Sequence, residues 1–357
     1  MKKIIFLILS ILISCSKPQV ENLGFFAQNR EKTIVGLDGF SNIETKSGKV
    51  LWTFGDTILG EWKNPPTVND TFENSAVMEK MIPNSIAVTE KLTESNISDL
   101  KFNFYSLNKN PAEFIKENTA SWIIRVWPLD GVELEGKIFL FYVKIKLVAD
   151  KNNPFKIIAN GIAELKIDAA DNTILKTEAA SLKELNLPGM ISLGDSVIKN
   201  DSFIYIAGRK SNNAGLPCIY FARTDLQNFV NPDKYEYLSQ DGTWLKNFSN
   251  AGTFFSPAAG EFSISYNEYL KSYVVIFMGL DGILKAAVFS DFNKIGKEKD
   301  IYTPEKLPKI YKRPFMFYYS GKEIFHSEKF IYAVFINPAV YQPVLIKIPA
   351  AIIRQDP

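Results

Sequence analysis

Short apolar runs separated by turns dominate the chain after residue 30. Each run has four to twelve residues and is rich in Val, Ile, Phe and Tyr, and residues of these types favour β-strands. Turn-forming residues such as Gly, Asn, Asp and Ser separate the runs. Many short strands at near-regular spacing indicate an all-β sandwich, barrel or propeller. Examples are "KVLWTF", "NSIAVTE", "KIFLFYVKIKLV", "FIYIAGRK", "SYVVIFMG" and "KFIYAVFIN".

The runs also recur in groups. Each group begins with small residues, continues with an apolar strand and a tight turn, and ends with further strands. Five such groups predict an all-β, five-bladed β-propeller, in which each group forms one small antiparallel sheet around a central channel. A sandwich with an accessory β-domain is the alternative. The groups begin near "DGFSNIE", "WIIRVWPLDG", "GMISLGDS", "GEFSIS" and "FMFYYSGKEIF".

The N-terminus has the pattern of an export signal. Two lysines precede an apolar run at Ile4–Ile13, which is shorter than the roughly 20 residues of a membrane span and is typical of a secretory signal. Leu12-Ile13-Ser14-Cys15 resembles the lipobox of bacterial lipoproteins. The resemblance implies cleavage before Cys15 and attachment to a lipid bilayer through acyl chains on its thiol. An ordinary signal peptide with a chance cysteine is the alternative.

These signals give an expected organisation for the whole chain. Residues 1–14 form a lipoprotein signal peptide, residues 15–29 hold the lipidated cysteine and a polar tether, and residues 30–350 form a single propeller domain. Ser16, rather than aspartate, follows Cys15, and by the enterobacterial sorting rule this favours the outer membrane or cell surface over the inner membrane. We expect the exported protein to be a monomer.

Composition excludes several classes of function. The chain has one histidine, His326, and two cysteines, so multi-histidine and cysteine-based zinc sites are excluded. No serine-hydrolase elbow, dinucleotide fingerprint or P-loop is present. Removal of Lys2 and Lys3 takes the formal charge from +2 to 0, which leaves no electrostatic footprint for nucleic acid. Calcium could bind Asp and Asn oxygens, but no EF-hand-type loop supports it, and we expect no cofactor.

Two aspartates stand where the apolar pattern stops in "GLDGFSNIETKSGKVLWTFGDTILGE". Asp38 would sit at the head of the first inner strand, and Asp56 follows the strand "KVLWTF" after a strand-breaking glycine. We expect both side chains to face one end of the channel, within reach of Arg125 or Lys322. The alternative is that each aspartate only caps a turn by accepting hydrogen bonds from nearby amides.

The chain resembles a known family over about Gly36 to Pro338. The phrases that carry the resemblance are "GLDGFSN...GKVLWTFGDT", "NSIAV", "VWPLDGVELEGKIFLF", "FARTDLQNFVNPDKYEYLSQDGTW" and "EFSISYNEYLKSYVVIF". They are similar to the domain of unknown function 4185. This resemblance implies a five-bladed propeller related to propeller glycoside hydrolases, and some members of the family are D-arabinan-degrading glycosidases.

The resemblance also implies roles for three residues. Asp38 and Asp56 match the opening motif, and an early-blade aspartate acts as base or nucleophile in related propeller glycosidases. A later-blade glutamate acts as acid there, and Glu261 in "GEFSIS" fits that position. Where the family pattern predicts a His-Pro-type phrase near the C-terminus, this chain has Lys322-Glu323.

Two functions follow as hypotheses. The first is an envelope lipoprotein that hydrolyses glycosidic bonds in a polysaccharide, because such hydrolysis needs two carboxyl groups on opposite sides of the bond. The second, motivated by the Lys322-Glu323 departure, is a non-catalytic glycan-binding or adhesion lipoprotein on the same fold. Aromatic rings stack on sugars, and charged or polar side chains bind hydroxyl groups. The expected substrate-binding residues are Trp122, Arg125, Trp127, Asp130, Arg209, Lys322 and Glu323.

Overall fold

The computed structural model describes residues 18–116, 123–150, 154–166, 183–309 and 317–354. Within these ranges the protein is all-β, and its helices are single turns, so the predicted all-β class is confirmed. The predicted signal peptide, Cys15 and Trp122 lie outside the described residues. No helix in the described ranges is both long enough and apolar enough to cross a membrane.

The elements follow one another along the chain with short connections. The strands and helices are β1 (Glu21–Phe25), β2 (Ile34–Leu37), β3 (Phe40–Glu44), β4 (Lys49–Phe54), β5 (Thr57–Trp62), α1 (Phe72–Ser75), β6 (Ala76–Ile82), β7 (Ser85–Glu90), β8 (Asn103–Phe104), β9 (Ser106–Leu107), β10 (Asn110–Pro111), β11 (Ile124–Leu134), β12 (Lys137–Leu147), β13 (Phe155–Lys166), β14 (Lys183–Leu185), β15 (Met190–Lys199), β16 (Phe203–Ser211), β17 (Pro217–Asp225), β18 (Glu236–Leu238), β19 (Trp244–Leu245), β20 (Ser263–Asn267), β21 (Ser272–Met278), β22 (Leu284–Phe289), β23 (Glu298–Tyr302), β24 (Tyr319–His326), β25 (Phe330–Asn337), β26 (Gln342–Pro349) and α2 (Ala350–Ile353).

In the described part of the chain, five sheets have four or five strands each. Their strand orders are β3-β4-β7-β8, β11-β12-β13-β14, β15-β16-β17-β18-β19, β20-β21-β22-β23 and β1-β26-β25-β24. Each of these sheets contains one of the five groups recognised in the sequence. A three-stranded sheet, β2-β5-β6, and the pair β9-β10 are smaller additions.

One edge strand from each of the five larger sheets, namely β3, β11, β15, β20 and β24, takes part in a ring, and we call these five the first strands. Strand β3 contacts β11, β11 contacts β15, β15 contacts β20, β20 contacts β24, and β24 contacts β3 again. Sheets that succeed one another around a central channel in this way define a β-propeller. The polar ends of these first strands therefore converge even though they are far apart in sequence.

The first strands begin at one end of the ring. Asn42 Nδ2 in β3 donates to the Ile324 carbonyl oxygen in β24 at 3.0 Å, and Ser196 Oγ in β15 accepts from the Ile264 amide in β20 at 2.9 Å. The Ser320 amide in β24 donates to the carbonyl of Ala259, just before β20, at 2.8 Å. We call the end at which these strands begin the front and the opposite end the rear.

Strand β1 completes the last sheet and lies within the segment interpreted as a tether. It pairs with β26, with Glu21 opposite Lys347 and Phe25 opposite Val344. The edge of β26 offers unpaired backbone groups that β1 satisfies. The folded part of the chain therefore begins before residue 30, within the residues 15–29 that were predicted to hold the tether.

Aromatic side chains close the ring between the last sheet and the first. Trp52 in β4 is fully buried and its ring centroid lies 5.4 Å from that of Phe26 and 5.2 Å from that of Phe102. The Trp52 indole nitrogen donates to Thr89 Oγ1 at 2.9 Å. Large aromatic side chains contribute strongly to core energetics because each buries 150–250 Å² of surface. Val50, Trp52 and Phe54 pack in this core, while Leu51 packs in a second core on the other face of β4. Both faces of the strand are therefore buried, and its sequence does not alternate between apolar and polar residues.

Candidate active site

The loops that carry Asp38 and Asp56 are hydrogen-bonded to each other at the front. Asp38 lies between β2 and β3, and Asp56 lies between β4 and β5. The Gly55 amide donates to the carbonyl oxygens of Asp38 at 3.0 Å and of Gly39 at 2.8 Å. The two aspartates that interrupt the apolar pattern are therefore neighbours.

Asp38 is held in a partly exposed position by two donors. Its Oδ2 accepts from the Tyr341 hydroxyl at 2.6 Å, and its Oδ1 accepts from the Gly39 amide at 2.7 Å. Burial raises the pKa of Asp38 to about 7, with added contributions from the negative charges of Glu261 and Asp56, while the Tyr341 hydrogen bond opposes the increase. A substantial fraction of this carboxyl group therefore still carries its proton near neutral pH.

Asp56 forms a buried ion pair with Arg125, which lies in β11 of the second larger sheet. Arg125 Nη1 lies 3.0 Å from both carboxylate oxygens, and the Trp127 indole nitrogen donates to Oδ1 at 3.1 Å. Burial raises the pKa of Asp56, and the charge of Arg125 and these hydrogen bonds oppose that effect. The structure thus brings Arg125 and Trp127 to the site, where both fix Asp56.

Glu261 reaches the same front end from the loop before β20. Its Oε2 accepts from the Ser320 hydroxyl. Gly260, with φ of +82°, leads into this position, and a Cβ there would lie 2.9 Å from the Ser320 amide nitrogen. Burial works against the ionised form of Glu261, but the charges of Arg209 and Lys322 and the Ser320 hydrogen bond outweigh it, so its pKa is lowered.

The carboxyl groups of Asp38 and Glu261 both lie close to Gly39. A Cβ on Gly39 would lie 3.2 Å from Glu261 Oε2, while the Gly39 amide nitrogen is 2.7 Å from Asp38 Oδ1. With standard backbone geometry, these two contacts limit the separation of the carboxyl oxygens to less than about 9 Å. Separations of roughly 5 to 9.5 Å are typical of the two carboxyl groups in glycosidases.

Arg209 belongs to a buried network in the third of the larger sheets. It donates to Asp195 through Nε at 3.0 Å and through Nη2 at 3.1 Å, and Asp195 also accepts from the Ser192 hydroxyl. Asp195 is fully buried. Burial works against the charge of Arg209, but Asp195 and Glu261 outweigh it and raise its pKa. The structure therefore places Arg209 where its charge stabilises ionised Glu261.

Lys322 and Asp130 lie deeper in the channel. Lys322 is buried and donates through Nζ to Ser41 Oγ. Burial lowers its pKa, and the charges of Asp130 and Glu261 oppose this effect. Asp130 accepts from the Val197 amide at 2.8 Å, and burial raises its pKa to about 6 despite the charge of Lys322. The positive charge of Lys322 therefore acts both on Glu261 at the front and on Asp130 deeper in the channel.

Glu323 does not join this front cluster. Its carboxylate bonds His326 Nδ1 at 2.6 Å and accepts from Ser265 Oγ at 2.8 Å. It lines a cavity of about 370 Å³ in the rear part of the channel, which also includes Asp130 and Lys322 in its lining. Among the residues that the structure describes, no group of three or more His, Cys, Asp or Glu side chains could hold a metal ion.

Sequence reasoning missed Asp195, Ser320 and Tyr341. Asp195 lies in "GMISLGDS", at the beginning of a recognised group, so its position in the pattern was an available signal. Ser320 and Tyr341 carry no comparable signal, because serine and tyrosine are common in strands and turns. Trp122, expected to bind substrate, lies outside the described residues.

The comparison with protein families decides the classification. The model of a domain of unknown function (DUF4185) matches residues 29–342. The chain belongs to the DUF4185 family. This confirms the resemblance found in the sequence. A comparison of this DUF4185 protein with curated protein sequences found no match.

Several solved structures are similar to this DUF4185 protein. A "putative hydrolase" from Bacteroides ovatus ATCC 8483 has a TM-score of 0.60 and 15% identity, with 88% of this chain and 86% of that chain covered. The GH43_1 enzyme from Xanthomonas citri complexed with xylotriose has a TM-score of 0.46 and 10% identity, covering 88% and 87%. A GH43 β-xylosidase/α-arabinofuranosidase from a compost microbial metagenome has a TM-score of 0.46 and 12% identity, covering 88% and 91%. The similarity to the Bacteroides ovatus protein, at 15% identity, concerns the fold alone.

Proposed function

We propose that this protein is an envelope-anchored lipoprotein that hydrolyses glycosidic bonds in a polysaccharide. Its five larger sheets would be the five blades of the propeller, and the reaction would take place at their front end. The observation that carries the proposal is the placement of two carboxyl groups beside Gly39, in which Asp38 accepts from the Tyr341 hydroxyl and Glu261 lies near the charges of Arg209 and Lys322. The pKa of Asp38 is raised to about 7 and that of Glu261 is lowered, and environments that separate two pKa values in this way identify an acid and its ionised partner.

The pKa values support roles opposite to those implied by the family resemblance. Asp38, protonated near neutral pH, would donate its proton to the oxygen of the leaving sugar. Glu261, ionised beside Arg209 and Lys322, would either attack the anomeric carbon or take a proton from the attacking water. The resemblance implied an aspartate base and a glutamate acid. Here the cations lie close to the glutamate, and the aspartate is faced by tyrosine hydroxyls and carboxylates.

Asp56 would act through Asp38 rather than on the substrate. Arg125 and Trp127 occupy its oxygens, which leaves it poorly placed to transfer a proton. Its negative charge raises the pKa of Asp38 and so helps to keep the acid protonated. Asp56 is therefore proposed as a positioning residue.

Export and anchoring rest on the lipobox-like Leu12-Ile13-Ser14-Cys15. Acyl chains on Cys15 would hold the protein at a lipid bilayer, since each buried methylene contributes about 0.8 kcal/mol. Ser16 supports the outer membrane or cell surface as the location. At such a location the site would be able to meet extracellular or periplasmic polysaccharide.

The test is release of reducing ends from a panel of polysaccharides by the purified protein. Asp38→Asn and Glu261→Gln should each lower kcat by roughly 10² to 10⁴ while the circular dichroism spectrum stays unchanged. Asp201→Asn and Glu268→Gln are matched controls, because both residues are exposed in turns at the rear, and neither should change kcat. Equal activity in all four variants would overturn the assignment. Saturable binding of a glycan without turnover would instead identify a glycan-binding protein.

A further inference from the structure

The N-terminal strand enters the propeller from the rear. Strand β26 runs from the front, where Tyr341 precedes it and contacts Asp38, to Pro349 at the rear. Strand β1 is antiparallel to it, and its first residue, Glu21, pairs with Lys347 near that rear end. The described chain before β1 therefore starts at the rear, on the side opposite to the carboxyl site.

Only a short stretch separates this point from the predicted lipid attachment site. Pro18, the first described residue, follows Cys15 by three positions, and three fully extended residues span at most about 11 Å. Val20 and Leu270 both pack against the hydrophobic cluster that contains Ile353. A lipid on Cys15 would thus hold the rear of the last sheet within a short distance of the bilayer surface.

We propose that the rear face of the propeller rests on the lipid bilayer and that the Asp38–Glu261 site opens away from it. The inference rests on the acylation of Cys15 that the proposed function includes. It adds an orientation that acylation alone does not specify, since a long tether would let the domain rotate freely. The strand lengths support a clear separation, because eight residues of β26 span roughly 26 Å.

The surface beside the point of entry suits an interface with lipid headgroups. It contains two exposed tyrosines, Tyr266 and Tyr269, with 38% and 49% of their surface accessible. The Arg354 guanidinium lies 5.7 Å from the Tyr269 ring. Tyrosine and arginine side chains are favoured at the level of the headgroups because each combines an apolar body with a polar end. We call these three residues, together with exposed Lys271 and Lys329, the rear patch.

The rear patch is not strongly basic. Glu268 and Glu328 are exposed beside Lys271 and Lys329, so attraction to anionic lipid is weak. The acyl chains would supply the binding, and the rear patch would orient the domain. The orientation is therefore expected to persist at high salt, because screening weakens attraction between charges and leaves the burial of acyl chains intact.

The orientation can be measured with one fluorescent label at a time on the acylated full chain. Cys218 is buried and is replaced by Ala, and a label is attached to Tyr269→Cys at the rear or to Leu216→Cys in the front turn between β16 and β17. Leu216 is a matched control because it is 41% exposed. The protein is reconstituted in phosphatidylethanolamine–phosphatidylglycerol vesicles that contain lipids with a nitroxide on the headgroup.

We expect the nitroxide lipids to quench the label at position 269 several-fold more strongly than the label at position 216, both at low salt and at 0.5 M salt. Equal quenching at the two positions, or stronger quenching at position 216, would overturn the proposal. Mass spectrometry of the N-terminal peptide checks the premise, and a Cys15 without acyl chains would also overturn it. Loss of glycosidase activity would leave the quenching pattern unchanged, so failure of the enzymatic proposal is distinguishable from failure of the orientation.

Discussion

Tyr341 donates a hydrogen bond of 2.6 Å to the carboxyl group of Asp38, although 303 positions separate the two residues in the chain. Tyr341 lies in the turn between the last two strands, and Asp38 lies before the first strand of the first larger sheet. Closure of the ring brings them together. This hydrogen bond lowers the pKa of Asp38. The protonation of the proposed acid therefore depends on how the first and last sheets pack together.

The pH dependence of the reaction should follow Asp38. Because its pKa is raised to about 7, kcat/KM should fall as pH increases through about 7 and the acid loses its proton. The Tyr341 hydrogen bond favours the ionised carboxylate. Tyr341→Phe should therefore raise the pKa of Asp38 and move the alkaline limb to higher pH. Tyr269→Phe, at the exposed rear surface, is the control and should leave the profile in place; a Tyr341→Phe profile identical to the control would contradict the assignment.

Asp56→Asn should shift the alkaline limb of the pH profile of kcat/KM in the direction opposite to Tyr341→Phe. The negative charge of Asp56 raises the pKa of Asp38, and the neutral amide also frees the positive charge of Arg125. Both effects favour ionised Asp38, so the alkaline limb should move to lower pH. Initial rates across pH 4 to 9 measure the shift. A movement to higher pH would show that Asp56 does not act through Asp38.

Gly39→Ala tests whether the position of Glu261 matters for turnover. The added Cβ would lie 3.2 Å from Glu261 Oε2, so the carboxylate has to move by a few tenths of an ångström. We expect a decrease in kcat of roughly 10-fold, because small displacements of catalytic groups are costly, with a small change in melting temperature. Gly55→Ala is the matched control in the paired loop, since its Cβ would meet no atom closer than 3.7 Å. Equal kcat in the two variants would argue against a catalytic Glu261.

Arg209→Gln should destabilise the fold strongly. It leaves the fully buried Asp195 without the cation that pairs with it, and removal of one partner of a buried ion pair costs about 3–5 kcal/mol. The double variant Arg209→Gln with Asp195→Asn removes both charges and should recover part of the loss. Urea denaturation measures the free energy of unfolding. A single variant within about 1 kcal/mol of the wild type would show that this pair is not important for stability.

The fold class of this protein and its site depend on two kinds of information. The strands, their five groups and the all-β class could be predicted, because apolar runs and turn residues are local properties of the chain. The loops of Asp38 and Asp56 could also be singled out, because each aspartate follows an apolar run and stands beside a glycine. The family assignment rests on the same local phrases, since "GKVLWTFGDT" and the phrases around it are contiguous in the sequence.

Only the tertiary structure decided which charges face each other. The contact of Tyr341 with Asp38 and the pairing of Arg209 with Asp195 join groups from different strands or sheets. The pKa of a carboxyl group depends on burial and on charges within a few ångströms, and neither quantity is encoded by spacing along the chain. The sequence therefore determined where the carboxyl groups of this protein stand, and the closed ring of sheets determined which of them keeps its proton.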